Sequence, residues 1–286
     1  MENILRLAVQ RSGRLFDESI RLVKECGVSI SSGHSALRVR AQDFPVELYY
    51  LRDDDIPRYV ADGVADVGIV GLNVVEEKAI PVTLTERLGF GVCRLSLAVP
   101  RAMEYHGPAT LQNARIATSY PKILSQFLEK NGITADLHEI SGSVEIAPGI
   151  GLSDAICDLV STGSTLLKNG LKEVEQIFQS EAVMIARRDL DDERGLILEK
   201  LLGRIRSVLA ARSTKYIMLN VPNESVERVS ALLPGVKSPS VLPLKKEGWS
   251  SLHSVVKEND FWEVVERVKE AGAEGILILP IEKIIK

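Results

Sequence analysis

The sequence has few of the residues that build disulfide frameworks or metal clusters. It contains three cysteines and four histidines in 286 residues. The cysteines, Cys26, Cys93 and Cys157, are odd in number and far apart, and there is no Cys-x-x-Cys pair or closely spaced Cys/His pair. A structural zinc site requires such spacing. We therefore expect free thiols, most of them buried, in a reducing compartment.

The chain also lacks a long hydrophobic run and an excess of basic charge. No apolar stretch approaches the ~18 residues that a membrane-spanning helix needs. Arg6 interrupts the N-terminal segment early, which argues against a signal peptide. Lysine and arginine total 35 against 39 aspartate and glutamate, a net charge of −4. We expect a cytoplasmic protein that binds neither a membrane nor nucleic acid.

Short apolar strands alternate with helical patterns over the first two thirds of the chain. Leu5–Val9 and Val67–Val70 are typical of buried strands, and the segments after them have helical periodicity. This alternation predicts an α/β protein with parallel sheets covered by helices. Similar patterns on either side of residue 95 predict two lobes, one formed by residues 1–95 with 181–212 and the other by residues 96–180. We expect Leu95–Val99 and Ala182–Ala186 to mark the crossings between them.

The last part of the chain has a different pattern. Residues 213–286 alternate in the order βαββαβ, which is typical of a small ferredoxin-like unit. By analogy at the level of the fold, such a unit serves pairing or effector sensing rather than catalysis.

The segment "DAICDLVSTGSTL", Asp154–Leu166, contains a candidate phosphate site. A predicted strand is followed by four hydroxyl residues around one glycine, and then by a predicted helix. Backbone N–H groups at a helix start, a glycine that permits close approach and hydroxyl donors all suit a phosphate monoester. The alternative is an N-capping turn, because Ser and Thr also cap helices. The residues of this loop are Ser161, Thr162, Gly163, Ser164 and Thr165.

Two aspartates precede this loop. Asp154 and Asp158 can bind ribose hydroxyls or hold Mg²⁺ indirectly, or they can be structural residues where a helix meets a strand. An internal repeat strengthens the structural interpretation: Asp62–Gly71 can be overlaid on residues 154–163, which places Asp66 on Asp158 and glycine on glycine. We therefore favour Asp158, which is nearer the loop, over Asp154.

A second glycine-containing turn lies near the N-terminus. Arg11, Gly13 and Arg14 follow the first predicted strand and precede a helix. Arginine binds polyphosphates and stacks on bases. Two solvated arginines beside a turn are the alternative.

At this point the residues resemble a known family. Residues Glu145–Leu166 fit the pattern Glu-x5-Gly-x-Ser-x2-Ile-x-Asp-Leu-x2-Thr-Gly-x-Thr-Leu, which is similar to the signature of ATP phosphoribosyltransferases. Further blocks that resemble this family follow in order along nearly the whole chain: "QRSGRL", "RDDDIP", "DVGIVG", "CRLSLA", "RIATSYP" and "LPIEK".

The resemblance implies a fold and a reaction. It implies two lobes like those of periplasmic binding proteins and, in the long form, a C-terminal regulatory domain. The implied reaction joins N1 of ATP to C1 of phosphoribosyl pyrophosphate and releases pyrophosphate, as the first step of histidine biosynthesis. It implies Mg²⁺ as cofactor, histidine as allosteric inhibitor, and homo-oligomers that shift between dimers and hexamers. A non-catalytic two-lobe binding protein or an inactive regulatory paralogue is the alternative.

The resemblance also suggests which residues bind which substrate. No residue is assigned as a nucleophile, and the metal ligands stay open. Arg52 can instead pair with the aspartates that follow it, and Gly71 can be only a turn. The residues expected to bind phosphoribosyl pyrophosphate are Glu145, Asp154, Asp158, Ser161, Thr162, Gly163, Ser164 and Thr165. Those expected to bind ATP are Arg11, Gly13, Arg14, Arg52, Asp66 and Gly71.

Overall fold

The structure is a computed structural model that describes residues 3–30, 37–233, 235 and 237–285. Within these residues the chain forms three β-sheets, and no helix among them is long and apolar enough to cross a membrane. The strands are β1 (Leu5–Gln10), β2 (Arg38–Arg40), β3 (Val46–Leu51), β4 (Val67–Gly71), β5 (Thr83–Arg87), β6 (Cys93–Pro100), β7 (Arg115–Thr118), β8 (Asp136–Glu139), β9 (Ala155–Val160), β10 (Leu171–Ser180), β11 (Ala182–Ala186), β12 (Thr214–Pro222), β13 (Ser240–Pro243), β14 (Trp249–Lys257) and β15 (Glu274–Pro280). The helices are α1 (Arg14–Glu25), α2 (Ile56–Ala61), α3 (Leu72–Lys78), α4 (Pro121–Lys130), α5 (Ser164–Lys168), α6 (Asp192–Arg212), α7 (Val226–Ser230) and α8 (Phe261–Glu270).

The first sheet has six strands in the order β2-β3-β1-β4-β11-β5. β1 runs parallel to β3 and β4, while β11 runs antiparallel to β4 and β5. Every residue of β4 is buried, which explains its continuous apolar sequence, since a central strand covered by helices has no solvent face. Ile56 and Val60 of α2 are fully buried and belong to the same hydrophobic cluster as Val70 of β4.

The second sheet has five strands in the order β10-β6-β9-β7-β8. β7 runs parallel to β8 and β9, and β6 runs antiparallel to β9 and β10. Its core brings Leu95 and Leu97 of β6 against Ile116 of β7 and Leu124 of α4. The chain leaves the first sheet between β5 and β6 and returns between β10 and β11, so two short segments connect the two sheets.

The third sheet follows the predicted βαββαβ order. β12, α7, β13, β14, α8 and β15 succeed one another, and the sheet order is β13-β14-β12-β15 with antiparallel neighbours. This is the ferredoxin-like arrangement. Ile217 and Leu219 of β12 and Val268 of α8 are fully buried in its core. The predicted fold class, an α/β core followed by this small unit, is confirmed. The prediction of parallel sheets in the core was wrong in part, because both sheets also contain antiparallel strands.

Contacts between Cα atoms divide the chain into two compact units. The first extends to Leu198, and the second begins at Glu199 and includes Glu25–Gly27. The border between these compact units lies inside α6, and the domain boundary after residue 212 stays a prediction. The division of the first unit into lobes at residues 95 and 181 stays a prediction, and we refer below to the first and second sheets.

The internal repeat is present in a different register from the predicted overlay. Asp66 immediately precedes β4 and binds Arg6 of the neighbouring parallel strand β1, through both the backbone N–H and the guanidinium. Asp154 immediately precedes β9 and binds Arg115 of β7 in the same way. Asp66 therefore corresponds to Asp154, and the overlay of Asp66 on Asp158 was wrong by four residues.

Candidate active site

The hydroxyl-rich segment forms the turn between β9 and α5. Gly163 has a φ of +76° just before α5 begins at Ser164. This left-handed conformation favours glycine, because a Cβ would strain the backbone there. Thr162 Oγ1 and Ser164 Oγ lie 3.2 Å apart, within hydrogen-bond distance. The side chains around the glycine are open to solvent: Ser161, Thr162, Ser164 and Thr165 are all exposed.

A charged pair supports this loop from the adjacent strands. Arg94 of β6 donates a hydrogen bond of 3.1 Å to the carbonyl oxygen of Ser161. The same guanidinium donates to Glu173 of β10 at 2.6 Å and lowers the pKa of that carboxyl. The start of the loop is thus fixed to a strand pair of the second sheet, and its hydroxyls face outward.

The loop borders a cleft of about 430 Å³. Three charged side chains from other elements also line it: Arg14 at the start of α1, Glu145 in a 3₁₀ turn and Asp158 of β9. An arginine, two carboxylates and a row of hydroxyls around one space can bind both a phosphate and sugar hydroxyls.

Asp158 is the titratable group of this cleft with the clearest perturbation. Burial raises the pKa of its carboxyl, the N–H of Leu159 opposes that shift, Glu145 raises the pKa further and Arg14 lowers it. Its Oδ1 accepts the Leu159 N–H at 2.8 Å. Because a half-buried carboxylate with one backbone donor has free lone pairs, Asp158 can accept hydrogen bonds from a ligand.

A second cleft of about 290 Å³ adjoins the first. Arg14, Asp158, Leu159 and Ser161 line both, so the two spaces are neighbours. The remaining lining residues come from both sheets: Gln10, Leu15, Asp53, Gly71, Asn73, Val74, Gly91, Val92, Cys93 and Tyr120. This arrangement can hold two substrates side by side, with their reacting ends near Asp158.

Of the three arginines predicted to bind ATP, only Arg14 lines these clefts, and Arg11 and Arg52 line neither. Arg11, Arg14 and Arg52 are exposed, and none of them forms an ion pair with a residue that the structure describes. The predicted alternative, in which Arg52 pairs with Asp53, Asp54 or Asp55, is therefore not seen. Gly13, between two of these arginines, has a φ of +105° and brings the chain close to Gln10.

Gly71 lies at the carboxyl end of β4 and lines the second cleft. A Cβ there would overlap Oδ1 of Asn73. That amide is fixed on both sides: its Oδ1 accepts a hydrogen bond from Ser180 at 2.7 Å, and its Nδ2 donates to the Tyr120 hydroxyl at 3.1 Å. Gly71 is thus more than a turn, because its missing side chain makes room for a contact between the two sheets.

Comparisons with known proteins identify the family. A model of the ATP phosphoribosyltransferase family matches residues 52–207, and a model of the HisG C-terminal domain matches residues 211–283. This chain belongs to the ATP phosphoribosyltransferase family. An ATP phosphoribosyltransferase of Cytophaga hutchinsonii is 61% identical over 286 residues, all of both chains. One from Bacteroides thetaiotaomicron is 51% identical over 282 residues, which is 99% of this chain and all of that one.

A solved structure is also similar. It is the ATP phosphoribosyl transferase (HisG:HisZ) complex from Thermotoga maritima, with a TM-score of 0.60 and 29% identity. The match covers 99% of that chain and 71% of this one. This ATP phosphoribosyltransferase family member is therefore longer than the Thermotoga chain, and it carries a match to the HisG C-terminal domain at residues 211–283.

The structure corrects the predicted ATP-binding role of Asp66. Its fully buried carboxylate binds Arg6 at 2.7 Å, with Arg187 and Arg194 at 3.8 and 3.7 Å. Asp66 and Gly71 lie at opposite ends of β4, roughly 17 Å apart at the usual rise per strand residue. In this family member Asp66 is a structural residue that joins strands and arginines at the far edge of the sheet.

Asp154 is corrected for the same reason. Its carboxylate binds the guanidinium of Arg115 at 2.7 Å and the Arg115 N–H at 2.9 Å, and this arginine lowers the pKa of Asp154. Asp154 and Ser161 are separated by the whole of β9, roughly 23 Å at the same rise per residue. Of the two aspartates that precede the loop in the sequence, the structure brings only Asp158 to it.

Sequence reasoning missed several residues of the cleft. Tyr120 and Asn73 line it, yet neither was assigned a role. Burial, then the nearby Asp158, raises the pKa of the Tyr120 phenol, so the group stays protonated. The block "RIATSYP" contains Tyr120 and resembled the family, which was the available signal. Asn73 follows "DVGIVG" by two residues, and nothing in the spacing indicated its contact with Tyr120.

The sequence assigns no metal ligands, and the described residues contain no cluster of three or more His, Cys, Asp or Glu side chains that could hold an ion alone.

The cysteines are free, as expected, and burial raises the pKa of Cys157. Cys157 is fully buried in β9, which suits a packing residue.

Proposed function

We propose that this chain transfers the phosphoribosyl group of phosphoribosyl pyrophosphate to N1 of ATP and releases pyrophosphate, the first step of histidine biosynthesis. One observation carries the proposal. The hydroxyl loop Ser161–Thr165, in a chain 61% identical over its full length to an ATP phosphoribosyltransferase, borders two neighbouring clefts that share Asp158 and Arg14. Two substrates that react end to end need such a pair of spaces.

The 5′-phosphate of the sugar binds in the hydroxyl loop. Exposed Ser and Thr hydroxyls donate hydrogen bonds, and backbone N–H groups near Gly163 add further donors. The ribose then extends toward Asp158, whose free lone pairs accept hydrogen bonds from its hydroxyls. Arg94, which fixes the carbonyl of Ser161, keeps the loop in place.

The carboxylates of Asp158 and Glu145 fit Mg²⁺. The ion is commonly held by one or two carboxylates together with substrate phosphates rather than by a cage of protein ligands. Both side chains line the cleft of the hydroxyl loop, and their proximity contributes to the raised pKa of Asp158. When bound, Mg²⁺ neutralises negative charge on the departing pyrophosphate.

ATP occupies the second cleft and reaches it from the first sheet. Arg11, Arg14 and Arg52 provide cationic donors for its phosphates. Gly71 lines this cleft and makes room for the Asn73 amide, and Gly13 lies between Arg11 and Arg14 and packs on Gln10, which also lines the cleft. Arg14 borders both clefts, so it lies where the two substrates meet.

The reaction needs no covalent enzyme intermediate. N1 of ATP carries a lone pair, and it attacks C1 of the ribose as the bond to pyrophosphate breaks. Positive charge develops on the ribose ring during this displacement, and the Asp158 carboxylate can stabilise it electrostatically. The chain's contribution is therefore alignment of the two substrates and electrostatic stabilisation.

The C-terminal unit provides regulation. Residues 211–283 match the HisG C-terminal domain and form the ferredoxin-like sheet. We infer that histidine binds to this unit and inhibits the transfer, and that the chain assembles as dimers and hexamers. Inhibition in the full chain and its absence in a chain ending at residue 212 would support this assignment.

Pyrophosphate release tests the proposal directly. We expect release only when ATP, phosphoribosyl pyrophosphate and Mg²⁺ are all present. If both substrates at saturation give no product, and calorimetry shows binding of a single ligand, the chain is a binding protein and the proposal is wrong.

A further inference from the structure

A carboxylate attached to the first sheet caps a helix attached to the second. Glu77 of α3 accepts the backbone N–H of Lys122 at 2.9 Å with Oε1 and that of Ile123 at 3.0 Å with Oε2. Glu77 and these two amides are 45 and 46 residues apart in the chain. The two crossing segments between the sheets lie elsewhere, so this contact is a separate connection between the two halves of the cleft.

The residue that precedes α4 does not cap its N-terminus. The first residue of α4 is Pro121, which has no N–H, and Tyr120 before it makes no side-chain cap hydrogen bond. The next two amides are those of Lys122 and Ile123, and Glu77 accepts both. The negative carboxylate also lies at the positive end of the helix dipole. The N-terminus of α4 therefore depends on a residue from the opposite side of the cleft.

Both helices begin at the second cleft. α3 starts immediately after Gly71, and α4 starts immediately after Tyr120, and both of these residues line that cleft. Asn73 in the first turn of α3 donates to the Tyr120 hydroxyl at 3.1 Å. Glu77 lies one turn farther along α3, so the two contacts together fix the separation and the angle of the helices.

We propose that Glu77 is a positioning residue that holds the two sheets in the arrangement that binds ATP. Its carboxylate does not line the clefts and takes no part in the transfer. Because apparent affinity falls in proportion to the population of the binding-competent arrangement, loss of this connection weakens ATP binding without changing the reacting groups. The inference rests on the proposed function, since it names the substrate whose cleft both sheets line.

Three variants test the role of Glu77. Glu77→Ala removes both acceptors, Glu77→Gln keeps one, and Glu76→Ala is the matched control, because Glu76 is the exposed neighbour on the same helix. We expect KM for ATP to rise about tenfold in Glu77→Ala, equivalent to about 1.4 kcal/mol, which lies within the range of a lost helix cap. KM for phosphoribosyl pyrophosphate should rise less, since the second sheet supplies most of its cleft. Glu77→Gln should be intermediate, and Glu76→Ala should match the wild type.

Two further measurements separate positioning from a merely structural role. In Glu77→Ala, kcat at saturating substrates should stay within about twofold of the wild type, because the reacting groups are intact. Hydrogen exchange followed by mass spectrometry should show faster exchange in the peptide with Lys122 and Ile123, and added ATP should restore protection.

The outcomes distinguish this inference from the proposed function. A wild-type chain without pyrophosphate release contradicts the proposed function and the inference with it. An active wild type whose Glu77→Ala variant has a lower melting temperature but an unchanged KM for ATP contradicts the inference alone. Equal changes in Glu77→Ala and Glu76→Ala would also overturn it.

Discussion

Gly71→Ala should weaken ATP binding and stability through one displaced side chain. The backbone at Gly71 has φ −69° and ψ 137°, which alanine adopts without strain. The only obstacle in the described surroundings of the new Cβ is the side chain of Asn73, which is 5% exposed and cannot move into solvent freely. Displacing that amide breaks its hydrogen bonds to Ser180 (2.7 Å) and Tyr120 (3.1 Å).

The expected magnitude follows from those two bonds. A net contribution of about 1 kcal/mol for each gives a loss of about 2 kcal/mol in unfolding free energy. For a unit of this size we expect a fall in melting temperature of roughly 4–8 °C. Because Asn73 and Tyr120 line the second cleft, KM for ATP should rise about tenfold. Thermal unfolding and steady-state kinetics of the full chain measure the two effects.

A double-mutant cycle checks the cause. In an Asn73→Ala background the obstacle is gone, so Gly71→Ala should then cost less than about 0.5 kcal/mol. Gly195→Ala is the control: a Cβ at Gly195 meets no atom within 4 Å, and alanine favours the helix it occupies. The reasoning is refuted if Gly71→Ala keeps the wild-type melting temperature and KM, or if it costs the same in both backgrounds.

Four other perturbations test the rest of the site and the C-terminal unit. Thr162→Val combined with Gly163→Val should abolish measurable turnover through loss of sugar-phosphate binding, and an unchanged KM for phosphoribosyl pyrophosphate would contradict the loop assignment. Burial raises the pKa of Asp158, so this carboxyl binds its proton more tightly in the folded state and its ionisation destabilises the fold as pH rises through its pKa. Asp158→Asn should therefore raise the melting temperature at neutral pH, and it should also raise KM for phosphoribosyl pyrophosphate. Asp154→Asn should lower the melting temperature at neutral pH, because Arg115 lowers the pKa of Asp154 and the stability from this ion pair is lost in the wild type only as pH falls. KM for phosphoribosyl pyrophosphate should not change in this variant. A chain ending at residue 212 should lose inhibition by histidine, measured as pyrophosphate release against histidine concentration.

The sequence was informative where periodicity or a local motif determines the structure. The apolar run of β4 and the glycine-centred loop after β9 both follow from local physical rules, and both were predicted. β10 was missed, because Leu171–Ser180 mixes charged and apolar residues without alternation. The charged Glu173 occurs in that strand because it binds Arg94, which lies 79 residues away in the chain. Long-range pairs of this kind leave no local pattern.

The same limit explains the errors at the carboxylates. Asp66 lies in a block that resembles the family, as Asp158 does, and Asp154 lies at a variable position within the signature segment. Composition cannot distinguish a structural aspartate from a ligand. Only the strand direction decides, because it puts Asp154 at one end of β9 and the hydroxyl loop at the other. The contact of Asn73 with Tyr120 joins separate sheets and could not be predicted from either segment.

The corrected register of the internal repeat places one residue from each copy of the strand-and-turn unit at the same cleft. Asn73 lies seven residues after Asp66, and Ser161 lies seven residues after Asp154, so the two are equivalent positions in the two halves. Both line the same cleft. A duplicated strand-and-turn unit would thus present the same backbone position to the ligand from opposite sides, with an amide in one copy and a hydroxyl in the other. At this pair of positions the two ends of the cleft are therefore chemically distinct.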